Sequence, residues 1–162
     1  MADASRGAWA AEPILVLDTN VVLDWLLFRD ARCAVLVQAI RVGQVRWVAS
    51  PAMRAELHHV LARGLRSGRA VDAASILQAW DRWATMVAAG DGPAPPSMRC
   101  TDADDQKFID LALQVRAQAL LSRDRALLKL RRRAATHGLR ILSADAWQPQ
   151  GTDTTPEAVS PG

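Results

Sequence analysis

The sequence predicts an α/β fold: a three-layer α/β/α sandwich around a mostly parallel sheet of four or five strands. Two observations carry this. Short apolar runs alternate with longer segments whose apolar residues recur at helical spacing, the pattern of strands joined by crossover helices. The 162 residues also suffice for one domain with a substantial core, and half of them are hydrophobic.

Ile14–Leu17 reads as the first strand, followed by a short helix over Val21–Phe28 and a second over Ala31–Val42, stopped by Gly43. Val45–Ala49 is the next strand. Ser50-Pro51 opens a helix, with serine at the N-cap and proline in the first turn. Met53, Leu57, Val60, Leu61 and Leu65 form its apolar stripe. A further helix is expected over Val71–Ala88, using Leu77, Trp80, Ala84 and Val87. Gly90-Asp91-Gly92-Pro93-Ala94-Pro95-Pro96 breaks the pattern. Then come a helix over Asp104–Ala117, a strand at Ala119–Ser122, a helix from Asp124 to Arg133 and a last strand at Arg140–Leu142. Residues 1–12 and 148–162 have little to bury and read as flexible tails flanking a domain over 13–147.

Composition excludes several classes. No apolar run approaches the roughly 18–20 residues that span a bilayer. The N-terminal residues lack the hydrophobic segment of a secretory signal. Cys33 and Cys100 are too few and too far apart for a disulfide framework or a cysteine-based zinc site, so a reducing cytoplasm fits. The formal net charge is +3, with arginine far outnumbering lysine. That basicity is modest by itself; it means more if acids are gathered in one cleft. The six tryptophans follow no aromatic motif and read as packing residues rather than base-stacking platforms.

Four acids stand where such a fold brings chain segments together. Asp18 ends the first strand, where open α/β sheets bind ligands. A charge there must be solvated, paired or metal-bound, although aspartate is also a good helix cap. Asn20, two residues on, is placed to orient that carboxylate or to make a turn. Glu56 lies one turn into the Ser50-Pro51 helix, at the edge of its apolar stripe. In Thr101-Asp102-Ala103-Asp104-Asp105, Asp102 suits a cap. Asp104 and Asp105 each precede apolar residues at i+4 and i+7, so periodicity does not choose between them. Asp124 follows the strand Ala119–Ser122 and again has capping as its plain alternative. Parallel strands end on one side of a sheet, so Asp18 and Asp124 can converge.

Other chemistries fit less well. There is no glycine-rich phosphate loop. His58 and His59 are adjacent and face different ways, unlike an H-E-x-x-H zinc site. Ser5, Ser50 and Ser122 lack a Gly-x-Ser-x-Gly setting. Asn20 occupies the position where an aspartyl-nucleophile phosphatase needs a second aspartate.

Taken together, four short pieces resemble the PIN domain family, especially bacterial members that are toxin components of toxin–antitoxin pairs. They are Val16-Leu17-Asp18-Thr19-Asn20-Val21; Ser50-Pro51 with Glu56-Leu57; Asp102, Asp105, Phe108 and Leu111-Ala112; and Leu121-Ser122 with Asp124 and Leu127-Leu128. They stand in the family's order and span about residues 14–145. The resemblance selects Asp105 over Asp104. It implies Asp18, Glu56, Asp105 and Asp124 as catalytic, metal-binding acids, with Asn20, Asp102 and Ser122 in support. Ser122-Arg123-Asp124 departs from the frequent Thr-Gly-Asp, and Ala103 stands where proline is common. Arg123 and Arg125 would then contact substrate phosphate.

Oxygen-only ligation favours Mg2+ or Mn2+. Such an ion would polarise the scissile phosphate, activate a water and stabilise the leaving oxygen. Asp18 would be its central ligand, with Asp105 or Glu56 orienting the water. The resemblance implies ribonuclease activity leaving a 5′-phosphate and a 3′-hydroxyl, with a protein antitoxin as partner; apolar residues around Trp25, Leu26 and Phe28 could serve that interface or a homodimer, although a core role is the plainer reading. The alternative is a non-catalytic RNA-binding module using Arg123, Arg125, Lys129 and Arg131-Arg132-Arg133, although such a run is more often a solvated helix face.

Overall fold

A computed structural model describes residues 12–64, 71–90 and 95–149. The predicted tails, outside residue 12 and residues 148–149, lie beyond these residues, as do Leu65 and the centre of the glycine–proline break.

Five strands form one sheet: β1 (Ile14–Leu17), β2 (Arg46–Ala49), β3 (Ala84–Met86), β4 (Ala119–Leu121) and β5 (Arg140–Leu142). All pairings are parallel, in the order β3-β2-β1-β4-β5. The last three residues of β1 and β2 and all of β4 are buried in succession rather than alternately, so both sheet faces are covered. The chain therefore has the expected three-layer arrangement. Strand order reverses at β1, which lies between β2 and β4, and such a switch point opens a crevice beyond the strand ends.

The helices largely begin where local chemistry starts them. Ser50 accepts a hydrogen bond from the Met53 amide and opens α3 (Pro51–Arg63), while Asp72 accepts from Ser75 and opens α4 (Ala73–Trp83). Between β1 and β2 run α1 (Thr19–Leu26) and α2 (Ala34–Arg41). The helix expected over Ala31–Val42 starts as a 3-10 turn, Ala31–Cys33, capped by Asp30. Gly43 ends this region at φ 78°, a left-handed conformation that glycine adopts without a Cβ clash.

Two expectations need correction. The helix predicted to continue through Ala88 stops at Trp83, because Ala84-Thr85-Met86 pair with Trp47-Val48-Ala49 and cover the edge of β2. The reward of ladder hydrogen bonds outweighs the helical spacing of Ala84 and Val87. The single helix from Asp124 to Arg133 is two, α6 (Arg125–Leu128) and α7 (Arg131–Thr136), broken where Leu130 turns into the core. Between β3 and β4 lies α5 (Gln106–Gln114), entered through a 3-10 turn at Ala103–Asp105.

Trp47, Trp80 and Trp147 are fully enclosed and Trp25 nearly so. Trp47 sits at ring-centroid distances of 5.4 Å from Trp25 and 4.7 Å from Trp80, in tilted and edge-on contact. These four tryptophans are packing residues. Cys33 and Cys100 are free thiols. Among the described residues, no helix is long and apolar enough to cross a membrane.

Candidate metal centre

The crevice at the β1/β4 junction is floored by Asp18. It is only 3% exposed, although it is a carboxyl group and follows an apolar strand. Its amide donates to the Leu121 carbonyl at 2.9 Å, continuing the ladder, so β4 fixes its backbone. Asp18 occupies the N-cap position of α1, but its side chain makes no capping hydrogen bond. The carboxylate instead accepts the Ser122 hydroxyl at 2.7 Å. Capping, the plain alternative for Asp18, therefore does not account for this side chain.

Ser122 is fully buried, and its Oγ also accepts the Asp124 amide at 2.9 Å. One hydroxyl thus ties together the ends of two neighbouring strands. Asp124 serves twice: one carboxylate oxygen accepts from the Ala126 amide at 2.8 Å, capping α6, and the side chain also faces Asp18. For Asp124, capping and clustering are compatible.

Asp105 arrives from the 3-10 turn before α5. It is buried while Asp104 is exposed, which separates the two acids that periodicity left equivalent. Asp18, Asp105 and Asp124 each offer a carboxylate oxygen, and these atoms all lie within 4.8 Å of one another. Asp105 Oδ2 is buried with no hydrogen-bond partner. Leaving a polar atom in that state is costly unless something binds it.

The electrostatics agree. Burial pushes the Asp18 carboxyl above the ordinary carboxylate range; the Ser122 hydrogen bond opposes the rise, the charges of Asp124 and Glu56 add to it, and the Thr19 amide opposes it. Asp105 is pushed up to about 7, first by burial and then by the charges of Asp124, Asp18 and Asp102, with a carboxyl contact to Asp124 adding to the rise. These groups resist ionising together without a counter-charge. An all-oxygen donor set of three acids, one with an unsatisfied buried oxygen, fits a hard divalent cation.

Glu56 stands apart from this group. Its carboxylate accepts the Thr19 hydroxyl at one oxygen and Lys107 Nζ at the other, the latter at 2.8 Å. Lys107 also donates to the Asp104 carbonyl at 2.6 Å. Glu56 is therefore a rim carboxylate held by a cation, acting on Asp18 through its charge. Asp102 is exposed and caps the 3-10 turn by accepting from the Asp104 amide. Asn20 is half-buried and makes no hydrogen bond to Asp18 among the described residues; Ser122 takes that place.

The Arg123 guanidinium grips Asp24 of α1 through two hydrogen bonds, at 2.9 and 3.2 Å. The pair straps the loop carrying Ser122 and Asp124 onto α1. Sequence reasoning missed Asp24, Thr19 and Lys107. The signal for Asp24 was available, because an acid inside the apolar segment Val21–Phe28 needs a partner. Nothing local marked Thr19 or Lys107, whose role depends on α3 and α5 meeting.

The α/β sheet carries its clustered carboxylates at the switch point, where such sheets bind ligands. A family model described as PIN domain matches residues 14–126, most of the chain, and the chain belongs to the PIN domain family. No curated protein matches the sequence. The matched span begins at the first residue of β1 and ends within α6, so it contains Asp18, Glu56, Asp105 and Asp124.

Proposed function

We propose that this chain is a metal-dependent endoribonuclease, with Asp18, Asp105 and Asp124 holding Mg2+ or Mn2+. The observation that carries the reading is the convergence of these three acids within 4.8 Å, together with the unpartnered buried Oδ2 of Asp105. When bound, the ion would supply charge neutralisation and activation of water toward a phosphodiester. The protein's part is placement. Ser122 fixes Asp18, the Arg123–Asp24 strap holds the Asp124 loop, and Asp105 carries a proton near neutral pH that cation binding would displace. Glu56, poised by Lys107 and Thr19, adds negative charge at the rim where an attacking water would approach.

The toxin role rests on the resemblance of the ordered motifs, and a protein antitoxin would be the matching partner. A groove of about 460 Å3, lined in part by Trp25, Leu26, Val37, Ile76 and Trp83, contains none of Asp18, Glu56, Asp105 and Asp124 and offers a surface for such a partner or a second copy. Phe28, close by in sequence, is 46% exposed, whereas Trp25 belongs to the core. Copurification with the product of a small gene directly upstream, with loss of cleavage in the complex, is the expected outcome.

The activity is tested by exposing total cellular RNA to the wild type and to Asp18→Asn with Mg2+ or Mn2+, then mapping new 5′ ends. Cleavage should fall by roughly 10²-fold or more in the variant, as it does when a principal charge-stabilising group is lost, and should vanish in EDTA. Equal cleavage by both proteins, insensitive to EDTA, contradicts the assigned centre.

A further inference from the structure

From Arg125 to Ala144 the sequence contains no acidic residue. Had α6 and α7 been one helix, Arg125, Lys129 and Arg132 would share a face and Arg131 would point elsewhere. The break at Leu130 changes this. Arg125, Lys129, Arg131 and Arg132 line one concavity of about 430 Å3, with half-buried Leu128 between them. All four cations are exposed, and among the described residues none is paired with a carboxylate. Elsewhere Arg32, Arg54 and Arg123 each have an acidic partner. The cluster begins on α6, the helix that Asp124 caps, one residue beyond that acid in the chain.

We infer that this concavity on α6–α7 docks the phosphate backbone of an RNA strand, carrying it away from the scissile phosphate on the Asp124 side. The inference rests on the nuclease reading above and deepens it by assigning a substrate path. Four cations with no carboxylate partner among the described residues suit successive phosphates, and arginine suits them best because its fork binds two oxygens at once. Leu128 gives the wall an apolar patch against which a sugar or base can rest. An isolated inorganic ion would gain nothing from that patch. The site is distinct from Arg123, whose guanidinium is already committed to Asp24.

The test compares the full chain with Arg125→Gln/Lys129→Gln/Arg132→Gln and with an equal-charge control, Arg41→Gln/Arg63→Gln/Arg82→Gln. Labelled oligouridine binding is followed by fluorescence anisotropy over a range of salt, with EDTA present to block cleavage. Cleavage kinetics in Mn2+ are measured separately, and thermal melts verify that each variant is folded. The α6–α7 variant should lose on the order of 10-fold in affinity near 0.1 M salt, and its salt slope should flatten by about 2, three contacts at about 0.7 each. Its KM should rise with kcat little changed, because uniform binding is what is lost. The control should keep the wild-type slope. An unchanged slope in the α6–α7 variant, an equal loss in the control, or poly-glutamate binding as tightly as RNA overturns the inference. If Asp18-dependent cleavage persists in that case, the nuclease reading stands without this path. Conversely, cluster-dependent, salt-sensitive RNA binding by a wild type that never cleaves supports the docking surface and sinks the nuclease reading.

Discussion

The acids borne by strand ends and those borne by helices reach the same crevice by different means. Asp18 is fixed by backbone pairing with β4, Asp124 by its amide bond to Ser122 and by capping α6, and the two are tied to one another through the Ser122 hydroxyl. Asp105 and Glu56 come from α5's entry turn and from α3, and their states are opposite. Asp105 is buried with an oxygen left unpartnered, whereas Glu56 is paired with Lys107. The sheet therefore supplies a rigid half of the site, and helix packing decides how charge is distributed over the other half. The strand-borne pair is a platform; Asp105 is where a cation has most to gain.

The largest way to break this contrast is Asp105→Asn. Its carboxyl is pushed up to about 7 from an ordinary 3.8, so between those pH values the folded chain holds a proton that the unfolded chain has released. The metal-free protein must then lose stability as pH rises from about 4 toward 7, and level off above that. Thermal melts in EDTA should show this decline in the wild type and a much flatter profile in Asp105→Asn, which should melt a few degrees higher at pH 8. Cleavage should nonetheless be lost, because the proposed centre then lacks its helix-borne carboxylate. Identical pH profiles for the two proteins would remove the electrostatic part of this account.

Ser122→Ala attacks the rigid half. It removes the hydroxyl that satisfies both the Asp18 carboxylate and the Asp124 amide, inside a fully buried setting. A stability cost of about 1–3 kcal/mol is expected, read by urea denaturation. Metal-dependent cleavage should drop roughly 10–100-fold, the usual effect of losing a group that orients a ligand. Ser122→Thr keeps a hydroxyl and should recover most of the activity. A threonine variant as poor as alanine would show that volume, not the hydrogen bond, matters at this position.

Lys107→Met is the smallest perturbation. The Lys107–Glu56 pair is partly exposed, so stability should change by about 0–1 kcal/mol. Freeing Glu56 leaves more uncompensated negative charge beside Asp18, so Mn2+ should bind the variant somewhat more tightly, by a few-fold. Calorimetric titration of both proteins measures it, and weaker binding would make Lys107 a support of the centre rather than a brake on it.

The strand half of the site was readable in the sequence because a carboxylate after an apolar run has few places to go. Asp18 directly follows such a run and Asp124 comes three residues after another, and parallel pairing of β1 with β4 brings the two strand ends together. The helix half was less readable. Asp104 and Asp105 have the same spacing to apolar neighbours, and only the 3-10 entry to α5, which periodicity does not encode, turns one inward. Glu56 was expected among the metal-binding acids, yet its environment is set by Lys107 from a segment 51 residues away. Of the fold, the strands with continuous apolar runs were plain. The edge strand Ala84–Met86 was hidden because its residues continue the preceding helical pattern, and only the exposed edge of β2 gives them a reason to extend. The α6–α7 break was hidden for a similar reason: Leu130 is buried by a tertiary turn rather than by its place on a helical stripe.

The most direct test of the central claim is calorimetric titration of the metal-free protein with Mn2+ at a pH just below 7, repeated in buffers of different ionisation heat. A centre made by Asp18, Asp105 and Asp124 predicts saturable binding with release of up to one proton per ion, the proton leaving Asp105. Binding should be lost in Asp18→Asn, and the proton signal should vanish in Asp105→Asn. Saturable binding of equal affinity in Asp18→Asn, or no binding by the wild type, would contradict the claim.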